Sequence, residues 1–439
     1  MHTTLIVENL PHLEEFYRIN LHTWVGCEVI SCEDAKFAIE ILNKHPEINL
    51  IITKAKIKTE KTLDALTDYL KESQRDCNII IIGDSLYSKE KYTHIPSGLD
   101  AKVLVQAAAR ALNVTAKEMA QKVVPDFFPI PATLFLSLEE SNCQVYIEQG
   151  EKYIEVFSAH TPFEPSTLTG LINKNTELLY VKKDDRLKFT SFYNEEIACQ
   201  IELVKLNTNE VFNALELSQE SLQKKIAKLG INQKTIALAQ RNLVGMSQAA
   251  KKAPSIMHLL KKLLENKSGY QFKHSQILMF VSTHLMDNLD WGTDEQRVKL
   301  QFISFFHDIA LEDDIQAMIH SESDLKKADI TLEEKEHVKK HAQLAATIVS
   351  QYPNAPIGVE QIIKQHHGSI NGIGFSEHYS QNISPMAIVF VLAEDFVDAL
   401  IQSGEKFDVK TQIHKMKEKY STQRFRKILE VLESITIQP

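Results

Sequence analysis

FISFFHDIAL (302–311) decides how this chain is read. An apolar run of helical character ends there on a histidine–aspartate doublet, His307-Asp308. A second stretch, QHHGSINGIGFS (365–376), carries the pair His366-His367 followed by a glycine-containing loop. One doublet is weak evidence. The set is stronger: His274, His307, Asp308, His341, His366, His367 and Asp395 all fall on segments that read as helix or helix end. Of the 17 histidines, ten lie from His274 onward. Imidazole and carboxylate donors suit divalent ions such as iron or manganese, and a carboxylate can bridge two imidazole-bound ions. Adjacent helical residues diverge by about 100°. A His-Asp or His-His doublet therefore reaches two neighbouring ions only if they sit beside a helix end or edge.

The rest of the chain bounds the chemistry. Its 439 residues suggest two to four domains. Apolar residues make up 44% and charged residues 24%, the balance of a globular protein. The net charge of −9 argues against a nucleic-acid polymer or membrane-surface binder, which needs a basic footprint. No apolar run approaches the ~20 residues of a spanning helix, and the N-terminus lacks the pattern of a signal peptide. Cys27, Cys32, Cys77, Cys143 and Cys199 are scattered, with no Cys-x-x-Cys pair. A reduced, cytoplasmic protein without a thiolate metal site is expected.

Residues 1–115 alternate short apolar runs with amphipathic stretches. TLIVEN (4–9), CEVIS (27–31), LIIT (50–53) and NIIII (78–82) read as buried parallel strands. Helical patterns fall at 11–22, 33–45, 60–74 and 100–112. This order implies an α/β domain of βαβ units. It resembles the receiver domain of response regulators, without that family's functional residues. Glu8-Asn9 stands at the acidic cluster, Lys54 at the phosphate-accepting aspartate, Gly83 at the hydroxyl residue and Ile95 at the lysine. Lysine cannot accept a phosphoryl group and would repel magnesium. A pseudo-receiver serving as an interaction or dimerisation platform is expected.

PDFFPIP, with three prolines, marks a boundary. From 125 to 205, CQVYIE, KYIEVF and ELLYVKK read as strands and 165–174 as helix, a small α+β domain. Residues 206–265 read as a helical linker interrupted at Gly230-Ile231-Asn232, either packed on its neighbour or forming a dimerising stalk. Residues 266–439 read as an all-α domain. The expected fold is thus multidomain, in the order α/β, α+β, helical linker, all-α.

At the C-terminal domain the sequence resembles the HD-GYP family, bacterial phosphodiesterases that hydrolyse cyclic di-GMP. The first metal-binding histidine of that family matches His274 in YQFKHSQILMF. The HD doublet matches His307-Asp308, the next histidine His341 in KKHAQLA, and the His-His pair His366-His367. The last ligand matches Asp395 in AEDFVDAL. The signature loop His-His-Glu-x-x-Asp-Gly-x-Gly-Tyr-Pro appears as HHGSINGIGFS, which keeps Gly372 and Gly374. The resemblance implies two divalent ions, iron or manganese, held by these seven residues with Asp308 bridging and His307-Asp308 catalytic. It also implies cyclic di-GMP as substrate, with Asn371, Gly372, Gly374 and Lys406 at the nucleotide. His284, His320, His337 and His378 match no ligand position and are expected to be structural or solvated.

The chain departs from the family at substrate-facing positions. Tyr270 replaces a glutamate able to bind a third ion, so two ions are expected. Leu311 replaces the lysine of His-Asp-x-Gly-Lys, and losing such a donor costs on the order of 10²–10³ in rate. Gly368, Asn371, Phe375 and Ser376 replace Glu, Asp, Tyr and Pro, and Lys406 or Lys410 stands in for a missing arginine. The alternative expectation is an effector that binds cyclic di-GMP or a protein partner without turnover. A homodimer through the linker or the N-terminal domain, and a signalling partner, complete the expectations.

Overall fold

The computed structural model describes residues 2–83, 92–115, 124–150, 152–173, 176–252, 256–266, 268–353, 355–375, 383–420 and 423–434. Most of the polar bridge before PDFFPIP, Pro254, Ser376 and His378 lie outside the described residues. The chain divides into two compact units, Met1–Ser218 and Gln219–Pro439.

In the first unit, Ile- and Val-rich runs make inner strands buried on both faces, whereas the edge strand EVISC (28–32), expected to be buried, is partly exposed. The elements run β1 (Thr3–Val7), α1 (Pro11–Asn20), β2 (Glu28–Cys32), α2 (Ala35–Lys44), β3 (Ile48–Lys54), α3 (Thr62–Glu72), β4 (Asn78–Ile82), β5 (Thr93–Ile95) and α4 (Ala101–Ala111). The sheet is all-parallel in the order β2-β1-β3-β4-β5, a doubly wound arrangement. Asp34 caps α2 by accepting from the Phe37 N–H, and Asp100 caps α4 by accepting from the Val103 N–H. At the carboxyl ends of β1 and β3, Lys54 Nζ lies 3.1 Å from Glu8 Oε2 and 3.5 Å from Glu210 Oε1. Both carboxylate side chains are only 1% exposed, so the lysine is their internal counter-ion. Burial pushes the Glu8 carboxyl up, against the pull of Lys54.

A second sheet follows. It contains β6 (Phe127–Pro131), β7 (Val145–Gln149), β8 (Lys152–Phe157) and β9 (Leu178–Lys182), antiparallel in the order β6-β9-β7-β8. Between β8 and β9 lies α5 (Pro165–Asn173). The stretch expected as a boundary, PDFFPIP, supplies β6. Its prolines are tolerated because an edge strand bonds on one side only. After β9, α6 (Arg186–Gln200) packs on α1. Asn20 and Asn194 exchange side-chain amide hydrogen bonds of 2.8 and 3.0 Å, and the hydroxyls of Thr23 and Thr190 meet at 2.9 Å. The α/β and α+β segments therefore share one compact unit.

The segment 206–265 is helical as expected: α7 (Thr208–Leu229), α8 (Gln233–Lys252) and α9 (Ile256–Glu265). Its apolar faces are largely covered. Val211, Phe212, Ala214 and Leu215 are buried, and so are Ala239 and Met246 farther along. The second unit continues with α10 (Tyr270–Asp287), α11 (Asp294–Phe306), α12 (Asp314–Ala317), α13 (Glu322–Lys327), α14 (Leu332–Ser350), α15 (Val359–Lys364), α16 (Pro385–Ser403), α17 (Val409–Lys419) and α18 (Gln423–Glu433). A helix apolar almost all round must sit inside a bundle. PMAIVFVLAEDFVDALIQS does so as α16, started by the Ser384 cap and Pro385. A capping box between Thr331 and Glu334 starts α14. No described helix is long and apolar enough to cross a membrane.

Candidate metal centre

The second unit gathers its histidines where α10, α14 and α16 meet the ends of α11 and α15. His307 follows the last residue of α11, and His366 and His367 follow α15, so both doublets stand at helix ends. His274 and His341 lie within α10 and α14. His274, His307, Asp308, His341 and His366 are all buried, and the His367 side chain is 10% exposed.

The imidazole tautomers follow from the main chain. His307 Nδ1 lies 3.0 Å from the Ser304 carbonyl, His341 Nδ1 2.5 Å from that of Val338, and His366 Nδ1 2.5 Å from that of Ile363. In each case the acceptor is three residues earlier. A carbonyl can only accept, so each Nδ1 carries a proton, and in the neutral ring each Nε2 is a bare lone pair. The bare Nε2 atoms of His341 and His366 face one another at 3.1 Å, with His367 Nε2 also 3.1 Å from that of His341. Facing lone pairs set up a repulsion in the protein interior. A cation relieves it. With metal–nitrogen bonds near 2.0–2.1 Å, two donors on one ion sit about 3–3.4 Å apart. The residues present therefore fit a metal centre.

Asp308 joins two groups. Its Oδ2 lies 3.1 Å from His307 Nε2, which is itself 3.1 Å from His274 Nε2. Its Oδ1 lies 3.4 Å from His341 Nε2 and 3.8 Å from His366 Nε2. One carboxylate thus faces a His274–His307 pair with one oxygen and the triple-histidine group with the other, the disposition of a bridging ligand. Burial alone would raise the Asp308 carboxyl, but the imidazoles of His307 and His341 hold it well below the usual range. Burial, reinforced by neighbouring imidazoles, holds His366 and His367 well below the ordinary histidine range. All three groups are thus in the ligand form at neutral pH.

Asp395 lines a cavity together with His320, His366 and His367. It accepts hydrogen bonds from Lys419 Nζ at 3.1 Å and the Tyr420 hydroxyl at 2.8 Å, and is not among the converging donors. The carboxylates that α16 turns toward the histidines are Glu394 and Asp398. Asp398 Oδ1 lies 3.0 Å from His274 Nδ1, an ion-pair distance, and raises that imidazole against the effect of its burial. Its Oδ2 lies 3.3 Å from Nδ1 of His320. His320, expected to be structural or solvated, is thus beside the centre. Glu394 Oε1 lies 4.0 Å from His367 Nδ1 and has no hydrogen-bond partner. Burial and the nearby Asp398 and Asp308 push its carboxyl well up. The sequence held one signal for Asp398: it follows Asp395 by three residues, so both belong to one helical face.

A cavity of about 230 Å³ opens beside these groups, lined among others by His320, His366, His367, Glu394, Asp398 and Lys419. Lys406 is exposed and does not line it, so Lys419 is the cavity's cation. Asn371 is exposed, and its side-chain oxygen accepts from the Ser369 hydroxyl and the Ile373 N–H. Gly372 has φ +73°, and a Cβ there would come within 2.7 Å of the Lys364 side chain. The Gly374 N–H donates to the Lys339 carbonyl. The expected close approach of the glycine loop is therefore made to α14 and α15, not toward an open nucleotide site. Phe375 packs on His367, with ring centres 4.7 Å apart. Leu311 is buried in an apolar cluster with Ala317, Ile319, Leu325 and Val338. His337 serves the structure, with Nε2 bonded to the Ala310 carbonyl at 2.6 Å. His284, also without a place in the centre, is lowered by burial.

Residues 272–397 match the family model for the HD domain. The chain therefore carries an HD domain, and the match supports a metal-dependent hydrolase. A solved structure, an HDG"Y"P protein from Bdellovibrio bacteriovorus, aligns with 71% of this chain and 99% of that chain, at 17% sequence identity and a TM-score of 0.41. Comparison with the curated proteins gives no match.

Proposed function

We propose that the second unit is a two-metal phosphodiesterase and that its substrate is cyclic di-GMP. The observation that carries the reading is the Asp308 carboxylate, whose oxygens face two separate histidine groups. His274, His307 and Asp308 would hold one ion, and Asp308, His341, His366 and His367 the other. Iron or manganese suits this donor set. Bound there, divalent ions supply Lewis acidity toward a phosphate oxygen and a hydroxide nucleophile at neutral pH.

The protein's own groups do the rest. Main-chain carbonyls hold three imidazoles with Nε2 turned inward. Burial of these donors keeps water from competing for the lone pairs. Glu394 holds its proton in the cavity wall, poised to hydrogen-bond an anionic substrate oxygen. Lys419 brings positive charge to the same wall. The cyclic di-GMP assignment rests on the order of the HD-GYP motifs and the length of the glycine loop.

A second reading, an effector that binds the nucleotide without turnover, is favoured by Leu311. Where the family has a lysine, this side chain is buried among aliphatic neighbours and offers phosphate no charge. Incubating the protein, loaded anaerobically with manganese or iron, with cyclic di-GMP separates the two. Linear dinucleotide or GMP on chromatography is the expected result. Calorimetric binding without product selects the effector, and neither binding nor product rejects cyclic di-GMP.

A further inference from the structure

We propose that the ligand crevice of the parallel sheet is a carboxylate site filled from within the chain: Lys54 binds the Glu210 side chain, and this contact latches the first turn of α7 to the sheet. In the order β2-β1-β3-β4-β5, β2 lies on one side of β1 and β3 on the other. The strand order therefore reverses between β1 and β3. In open α/β sheets a ligand enters the crevice outside the carboxyl ends of the strands at such a point. Glu8 follows β1 and Lys54 ends β3, so both stand there.

Residues 206–212 take up this crevice. Glu210 Oε1 lies 3.5 Å from Lys54 Nζ, and Glu8 Oε2 lies 3.1 Å from the same ammonium. Asn207 packs over Gly83, the residue after β4, where a Cβ would come within 3.2 Å of its side-chain nitrogen. Leu206, Val211 and Phe212 are buried. Burial, with the charges of Glu8 and Glu210, pushes the phenol of buried Tyr17 well up, so this ring closes the crevice beside its acids. Two separate contacts hold Glu210. Its Oε2 accepts from the Asn207 N–H at 3.1 Å, while the Asn207 side-chain oxygen accepts from the Glu210 N–H at 3.0 Å. That reciprocal box starts the helix, and a glutamine would complete it equally well. The helix therefore does not need the Glu210 charge. A buried carboxylate is tolerated only with a cation at hand, so the charge serves the attachment to Lys54. Breaking this contact frees the first turn of α7 while the sheet stays folded. The domain can thus hold or release the start of the helical linker.

Hydrogen exchange on the full chain tests the latch. Glu210→Gln keeps the box and removes the charge. Exchange at residues 211–215 should become about 10–100-fold faster, with β1 and β3 unchanged. No change at 211–215 would mean that the charge holds nothing, and equal acceleration in the sheet would mean that Glu210 only supports the fold as a whole. Either result overturns the proposal. Glu210→Ala then tests the ligand class. The truncation removes a fragment of acetate's size, so acetate should slow exchange at 211–215 relative to chloride at equal ionic strength. In the double variant Lys54→Met with Glu210→Ala, acetate should have no effect. Rescue without Lys54, or no rescue with it, overturns the carboxylate site. If either alanine variant fails to fold, the Glu210→Gln comparison decides alone.

Discussion

Asp308 Oδ1 stands 3.4 Å from His341 Nε2 while the other oxygen of the same carboxylate stands 3.1 Å from His307 Nε2. One side chain is thus common to both histidine groups. Asp308→Ala should empty both, whereas His367→Ala should weaken only the group containing His341 and His366. Metal analysis after anaerobic loading checks this, and cyclic di-GMP hydrolysis should fall by at least about 10²-fold with the metal. Full metal retention by Asp308→Ala would remove the bridge.

The sequence motif and the geometry disagree over α16, and two substitutions decide between them. Asp395→Asn should leave metal content unchanged, because Asp395 is paired with Lys419 and Tyr420. Asp398→Asn should reduce it. The reverse pattern, by elemental analysis, would restore the motif's Asp395 as the ligand.

Restoring the family lysine by Leu311→Lys would place an amine among aliphatic side chains. It should destabilise the second unit by about 2–4 kcal/mol rather than raise the rate. Urea unfolding monitored by circular dichroism measures the loss. A stable variant with faster turnover would show that the lysine finds a path to the cavity.

Stability of the metal-free protein should rise with pH. Burial holds His366 and His367 well below the ordinary histidine range, and His320 is lowered by burial too. In the window below about pH 6.5 the unfolded chain binds protons that the folded chain refuses, so acid favours unfolding. His284 is lowered by burial as well, while His274, raised by Asp398 against its burial, and the carboxyls of Glu394 and Glu8, raised by burial, work in the opposite sense, so four groups stand against three. The melting temperature of chelator-treated protein should fall between about pH 7.5 and about pH 5.5, and saturating Mn²⁺ at the higher pH should raise it. A melting temperature flat across that range would contradict the burial of neutral imidazoles.

Lys54→Met should destabilise the first unit by about 3–5 kcal/mol, because Glu8 and Glu210 would be left buried without their cation. Adding Glu8→Gln should recover part of the loss. Denaturant titration of the single and double variants measures both effects. An unaffected single variant would mean that the carboxylates take up protons at little cost.

Much of this molecule was legible in its residues, for identifiable reasons. Strands β1, β3 and β4 showed as Ile- and Val-rich runs, since burial on both faces leaves little place for polar residues; β2 is partly exposed at the sheet edge, and β5, only Thr93–Ile95, is too short and polar to read. β6 did not, because prolines usually end a strand and only its edge position permits them. His274, the two doublets and His341 converge as the motifs implied. Asp398 and Glu394 went unread because Asp395 fits the motif and neighbours them on the same helix. His320 went unread because its role depends on a fold that brings Tyr270 and Asp398 to it across α10 and α16. Tautomers were equally hidden, since they depend on carbonyls three residues back along each turn.

Those carbonyls carry a consequence for how the chain can change over time. Ser304, Val338 and Ile363 each orient a ligand from within its own short stretch of backbone. Metal affinity is thereby insulated from drift in the glycine loop, which is tethered by separate contacts to Lys339 and Lys364. A lineage could exchange its nucleotide, or abandon turnover altogether, and still inherit an intact inorganic core.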